Sequence, residues 1–185
     1  MKRTLRALGL VAALAAPAAL TAQAAEKTVG IGVSGGLSLP MGDLGEGAES
    51  GFNVTGHLYL KPAALKAFRL RGDVSYDKWN AKGVDGASVS ALGFVANAVF
   101  DLGTSSTSSV KPYVLGGVGM FNSKYKFESS VVEVNESSTD VGIQAGAGIN
   151  FQLSGFSTFA EARFVNVFGD NSSSNWIPIT FGIRF

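Results

Sequence analysis

Two overlapping stretches near the start of the chain carry residue types and spacings that do chemistry elsewhere. Gly30-Ile31-Gly32-Val33-Ser34-Gly35 satisfies G-x-G-x-x-G, the spacing with which a strand-to-helix turn presents backbone N–H groups to a pyrophosphate. Gly32-Val33-Ser34-Gly35-Gly36 satisfies G-x-S-x-G, and Asp43 and His57 follow in the order of a hydrolase triad. Both patterns need a helix directly after the turn. Here side chains alternate straight through the motif, so chance in a glycine-rich strand explains both. His57 is the single histidine and the only imidazole base on offer. It falls mid-strand on a polar parity, which suits a hydrogen-bonded interior histidine. With no Cys, there is no thiolate nucleophile, disulfide or thiolate metal site. No catalytic, cofactor-binding or metal-ligating residue is assigned, and no cofactor is expected.

Other motifs give way to simpler explanations. Arg71-Gly72-Asp73 spells an adhesion tripeptide, but the alternation places it inside a strand rather than on an exposed loop. Asp43, Glu46 and Glu49, like Glu128, Glu133 and Glu136, read as solvated acidic loops. Fifteen Lys and Arg against 14 Asp and Glu leave a net charge of +1, with no basic excess for a phosphate backbone, so nucleic acid is not expected as a partner.

Lys2, Arg3 and Arg6 precede an apolar run from Ala7 to Leu20, and Ala22-Gln23-Ala24 follows in the A-x-A arrangement of a signal-peptidase site. The run is short for a membrane span. Residues 1–24 are therefore expected to be a cleaved signal peptide, and residues 25–185 a single domain. In that domain the dominant period is two, the mark of strands whose faces see different surroundings. Ile177, Ile179, Phe181, Ile183 and Phe185 alternate with Pro178, Thr180, Gly182 and Arg184. The same holds for 52–61, 68–77 and 141–153. Strands about 29–39, 88–102, 111–125 and 156–168 bring the expected number to eight; the facing of 111–125 is ambiguous because Gly116, Gly117 and Gly119 blur the contrast.

Period two is common to a soluble barrel, apolar inside, and a membrane barrel, apolar outside. Volume decides between them. The apolar face carries far more Val, Ile, Leu and Phe than an eight-stranded interior can hold. The other face is rich in Gly, Ser, Thr and Asn, with opposite charges on one parity: Arg69, Arg71, Asp73, Asp77, Glu161, Arg163 and Arg184. These seven are expected to form a lumenal charge network. Aromatics near strand ends, namely Phe52, Tyr76, Phe100, Tyr113, Phe151, Phe156, Phe168, Trp176 and Phe185, are expected to form interfacial girdles.

The last strand, with Ile177, Ile179, Phe181, Ile183 and Phe185, resembles the C-terminal assembly signal of Gram-negative outer-membrane proteins. Gly35-Gly36-Leu37-Ser38-Leu39-Pro40-Met41-Gly42-Asp43-Leu44 leading into Gly51-Phe52, and Lys111-Pro112-Tyr113-Val114-Leu115-Gly116-Gly117-Val118-Gly119, are similar to the small eight-stranded outer-membrane β-barrel family that includes OmpX-like and OmpA-transmembrane-domain-like proteins. The expected fold is an all-β, antiparallel, up-and-down transmembrane barrel with both ends in the periplasm and outward loops near 40–50, 78–87, 123–138 and 169–175. No peptidoglycan-binding domain is expected after Phe185.

The resemblance specifies architecture more than activity. It implies a monomeric, non-enzymatic barrel exported through the periplasm, with a side-chain-plugged lumen and loops that serve as an interaction platform. Its partners would be outer-membrane lipid and lipopolysaccharide, the barrel-assembly machinery during biogenesis, and a surface partner of the loops. Phe127, Val131, Val132 and Val134 could prolong the third hairpin beyond the bilayer and offer an edge for strand addition. The alternatives are a narrow conduit or pocket for small apolar molecules, as in OmpW-like proteins, a lipid-modifying outer-membrane enzyme, and a soluble secreted barrel.

Overall fold

The computed structural model describes residues 29–62, 68–84, 86–102, 110–128, 133–153, 155–169 and 173–185. The expected signal segment with Ala22 and Ala24 lies outside the described residues. The elements in chain order are β1 Val29–Met41, α1 Gly42–Gly47, β2 Gly51–Leu60, β3 Phe68–Asn80, β4 Ala87–Asp101, β5 Val110–Glu128, β6 Glu133–Gln152, β7 Ser157–Phe168 and β8 Ser173–Arg184. Each strand pairs with its sequence neighbour, and β8 returns to β1 from Gly32↔Arg184 to Met41↔Asn175, so the antiparallel sheet closes into a barrel. Closure satisfies the backbone N–H and C=O groups without an edge, the condition for crossing hydrocarbon. Among the described residues no helix is long and apolar enough to cross a membrane.

Alternation in the sequence becomes alternation in space. On β8, Ile179 is 40% exposed and its neighbour Thr180 is 0%; Phe181 is 70% exposed. The apolar residues therefore form the outer surface and the small and charged ones the lumen. β5, ambiguous in sequence, turns Tyr113, Leu115 and Phe121 inward and Val114, Val118 and Met120 outward.

Glycine makes the space that these inward aromatics need. Phe121 pairs across strands with Gly93, Tyr113 with Gly148, and Phe159 with Gly182. A Cβ on Gly93 would stand 2.7 Å from the Phe121 ring, and one on Gly142 would stand 2.8 Å from its other edge.

Three expectations are corrected here. Trp176 and Tyr113 do not belong to an interfacial girdle: they are 1% and 3% exposed and point into the barrel. Both occupy inward parity, and parity outranks closeness to a strand end. The lumen is not uniformly small and polar either. Towards the loops, Trp79, Ala91, Val95, Phe121, Val165, Val167 and Trp176 pack into an apolar cluster together with Ala48, with Trp79 and Phe121 set edge-on to Trp176 at 5.3 and 5.6 Å between ring centroids. Finally, Gly42–Gly47, expected as a turn, forms the short helix α1, whose Leu44 packs against that cluster. Lys82 Nζ holds α1 down by donating to the Gly45 carbonyl (2.5 Å).

Outward connections fall at 42–50, 81–86, 129–132 and 169–172. The third is short because β5 and β6 keep pairing as far as Glu128↔Glu133, whereas β6 pairs with β7 only as far as Val141↔Phe168. The β5–β6 hairpin thus projects beyond its β7 neighbour.

Candidate functional site

The ordered polar chemistry of this chain lies inside the barrel. β3 and β7 are four strands apart either way round the ring, so they form opposite walls. Arg71 on β3 nevertheless donates through Nη1 to Glu161 Oε2 on β7 at 2.6 Å, and through Nη2 to Glu161 Oε1 at 3.0 Å. The same Nη2 donates to Asp73 Oδ2 at 2.9 Å. Arg163 approaches Asp73 Oδ2 at 3.4 Å and Glu161 Oε1 at 3.3 Å, and donates to Thr55 Oγ1 on β2 at 3.2 Å. Two guanidinium groups thus face two carboxylates, with all four residues 3% exposed or less. Charges removed from water remain tolerable only when paired and hydrogen-bonded in this way.

Neutral residues complete the shell. Tyr113 Oη donates to Glu161 Oε2 at 2.6 Å, Asn97 Nδ2 to Asp73 Oδ2 at 2.9 Å, and Gln144 Nε2 to Asn97 Oδ1 at 2.6 Å. None of these three is among the charged positions that the sequence singles out. In sequence each is only a filler on inward parity, because the partner it meets depends on the stagger of the closed barrel.

The seven charged positions separate into three groups. Arg71, Asp73, Glu161 and Arg163 converge at mid-barrel. Asp77 sits nearer the loops, accepting hydrogen bonds from Ser38 Oγ (2.7 Å) and Asn53 Nδ2 (2.9 Å). Arg69 and Arg184 lie at the opposite mouth. Arg69 forks onto Asp101 (Nε–Oδ2 3.0 Å, Nη2–Oδ1 2.5 Å), whereas Arg184 lies over the Tyr59 ring at 5.2 Å. Of the residues in the proposed terminal signal, Ile179, Phe181, Ile183 and Phe185 are exposed and Ile177 is half-buried.

The hydrolase-like spacing has an unexpected counterpart. Ser34 Oγ lies 2.9 Å from His57 Nε2, and His57 Nδ1 lies 2.8 Å from Asp73 Oδ1. The carboxylate is Asp73, not Asp43, which sits on α1. The trio has the connectivity of a relay, but acyl transfer also needs N–H donors aimed at a developing oxyanion and room for substrate. Ser34 lies in β1, paired with β2 on one side and β8 on the other, and is 4% exposed. Gly30–Gly35 likewise continues as strand, without the helix a dinucleotide turn needs. Among the described residues no group of His, Asp and Glu is arranged to hold a metal ion.

A closed eight-stranded barrel with an apolar exterior and paired ions inside is constructed for a bilayer. Residues 8–185 match the outer membrane protein beta-barrel domain family. The chain belongs to that family. Membership gives the barrel its location, the Gram-negative outer membrane, and its outward side chains their solvent, lipid. Solved structures with the same fold include Neisserial surface protein A, at 17% identity over 85% of this chain and 96% of that one with a TM-score of 0.63. The N-terminal barrel domain of Pseudomonas aeruginosa OprF matches at 15% identity over 84% and 97% with a TM-score of 0.51. A major outer membrane protein of Thermus thermophilus matches at 11% identity over 85% and 98%, also with a TM-score of 0.51. At these identities the likeness is one of fold. A search of curated protein sequences finds no match.

Proposed function

We propose that this outer-membrane barrel is non-enzymatic, that its own side chains close its lumen to solutes, and that it acts at the cell surface through its outward loops. The observation that carries this reading is the Arg71–Glu161 pair, a two-bond contact between opposite walls. Side chains that meet across the centre support a lumen closed to solutes, and the Trp79–Trp176–Phe121 cluster on the loop side adds an apolar layer to the same effect. Channels wide enough for solutes need about sixteen strands. The Ser34–His57–Asp73 trio favours a structural role, since its serine is buried in a strand paired on both sides, and the chain there runs on as strand rather than into the strand-to-helix turn of a nucleophile elbow.

The loops then supply the interaction surface. β5 and β6, at 19 and 20 residues, exceed every other strand, and their projecting hairpin is the contact element best placed to reach past the lipopolysaccharide. Export by the 1–24 signal and recognition of Ile177, Ile179, Phe181, Ile183 and Phe185 by the barrel-assembly machinery complete the biogenesis we propose. Planar-bilayer recording tests the closed lumen. Purified barrel should insert without unitary conductance steps, and membranes expressing wild type or His57→Ala should have the same lipid profile. Reproducible ion-conducting steps, or a His57-dependent change in lipid, would contradict the proposal.

A further inference from the structure

We infer that the outer wall of the barrel, where β3, β4 and β5 leave the apolar band on the loop side, binds a phosphate of lipopolysaccharide through Lys78 and Lys124. Lys78 stands between Asp77 and Trp79, both buried in the lumen, so its own side chain points outward. Lys124 follows the inward-facing Phe121 by three residues and has the same outward parity. The register sets both on one row, since Lys78 pairs with Ser90 and Ser90 pairs with Lys124. At roughly 4.8 Å per strand the two lysine backbones are about 10 Å apart with the serine between them, so both ammoniums can close on one group held over Ser90. The next row toward the membrane holds Tyr76 and Leu92, and the one after it Val74, Phe94, Met120 and Val141. All six are exposed.

The protein itself supplies neither lysine with a counter-ion. Among the described residues no carboxylate lies within ion-pair distance of Lys78 or Lys124. Lys126, one row further out on β5, already has a partner and does not belong to the site. Outward positions hold no acid from Val74 to Asn80, from Ser88 to Phe94 or from Met120 to Lys126; Asp77 faces the lumen, where Ser38 and Asn53 occupy it. Lys78 also lines a recess of about 440 Å³ together with Asn80, Ser88 and Glu49, the one acid among its described lining residues. An ammonium acts on phosphate as a point charge with three donors, and its pull on an anionic headgroup is stronger where hydrocarbon begins one row below than in open water. Lipopolysaccharide in the outer leaflet carries phosphate directly above acyl chains. Seated on this wall, it meets the two lysines and the Ser90 hydroxyl with its phosphate and Leu92, Phe94 and Met120 with its chains.

That this wall meets the outer leaflet rests on the proposed outward direction of the loops. Detergent solution keeps the two claims separable, because there the wall is open to added lipid whichever way the barrel was inserted. Barrel folded in lauryl maltoside is titrated with diphosphoryl lipid A, and the complexes are resolved by native mass spectrometry. One lipid should bind saturably, roughly fivefold more weakly after Lys78→Gln or Lys124→Gln and more weakly still with both. Lys111→Gln, at the opposite mouth, and added EDTA should leave the affinity unchanged. Heat-modifiable migration verifies that each variant is folded, and lipid A stripped of phosphate should bind the native barrel no better than intact lipid A binds the double variant. No saturable binding, equal affinity for the stripped lipid or for phosphatidylglycerol, or indifference to both lysine substitutions would overturn the inference. So would loss of binding in EDTA, which would move the contact to a cation at Glu49. None of these results touches the closed lumen, which the conductance recording tests by itself.

Discussion

Arg71 reaches Glu161 on the far wall and Asp73 on its own strand, and this double engagement gives single lumenal substitutions an unequal cost. Arg71→Leu leaves Asp73 and Glu161 sharing the more distant Arg163, at 3.4 and 3.3 Å. Removing one member of a buried ion cluster costs about 3–5 kcal/mol, because the charges left behind stay desolvated. Glu46→Gln, on exposed α1, should change stability by no more than about 0.5 kcal/mol. Urea unfolding of the two variants in lipid vesicles measures the difference, and equal midpoints would contradict the assigned network. Inward-facing charge was legible at this scale because parity alone decides it. Partnership was not. Arg69 and Asp101 lie 32 positions apart and Arg71 and Glu161 lie 90 apart, and nothing in either local sequence marks one as the other's neighbour.

At the scale of elements, eight strands could be read from period-two alternation, and the hairpin register follows from connecting each to the next. The reading weakened where glycine removed the contrast, above all in β5. The glycines were themselves the clue: a lumen residue without a side chain faces an aromatic on the adjacent strand, as Gly93 faces Phe121 and Gly148 faces Tyr113. Gly93→Ala should therefore destabilise the barrel by about 1–3 kcal/mol, the usual cost of overpacking. Its Cβ would press on Phe121 and on Ser75 Oγ, each 2.7 Å away. Gly56→Ala, whose Cβ would meet nothing within 4 Å, provides the control. Similar unfolding midpoints for the two would argue against glycine as the space-maker. α1 escaped notice because six residues containing three glycines read as a turn, and its place is held by Leu44 and Lys82 rather than by helix propensity.

For the whole molecule, solvent is reversed: lipid bathes the apolar wall, and the ions neutralise one another inside. If the terminal strand is what the assembly machinery reads, deleting Phe185 should lower the heat-modifiable, folded fraction in outer membranes several-fold, although Phe185 itself lies outside the lumenal network; unchanged yield would remove that proposal. The deletion does not bear on which way the faces point, and that orientation supports everything else. It is tested most directly on β8. The chain contains no Cys, so Ile179→Cys and Thr180→Cys each give one nitroxide position in barrels reconstituted into phospholipid vesicles. The Ile179 label should be quenched by lipid-dissolved oxygen and the adjacent Thr180 label shielded from it; oxygen reaching Thr180 and sparing Ile179 would contradict the account.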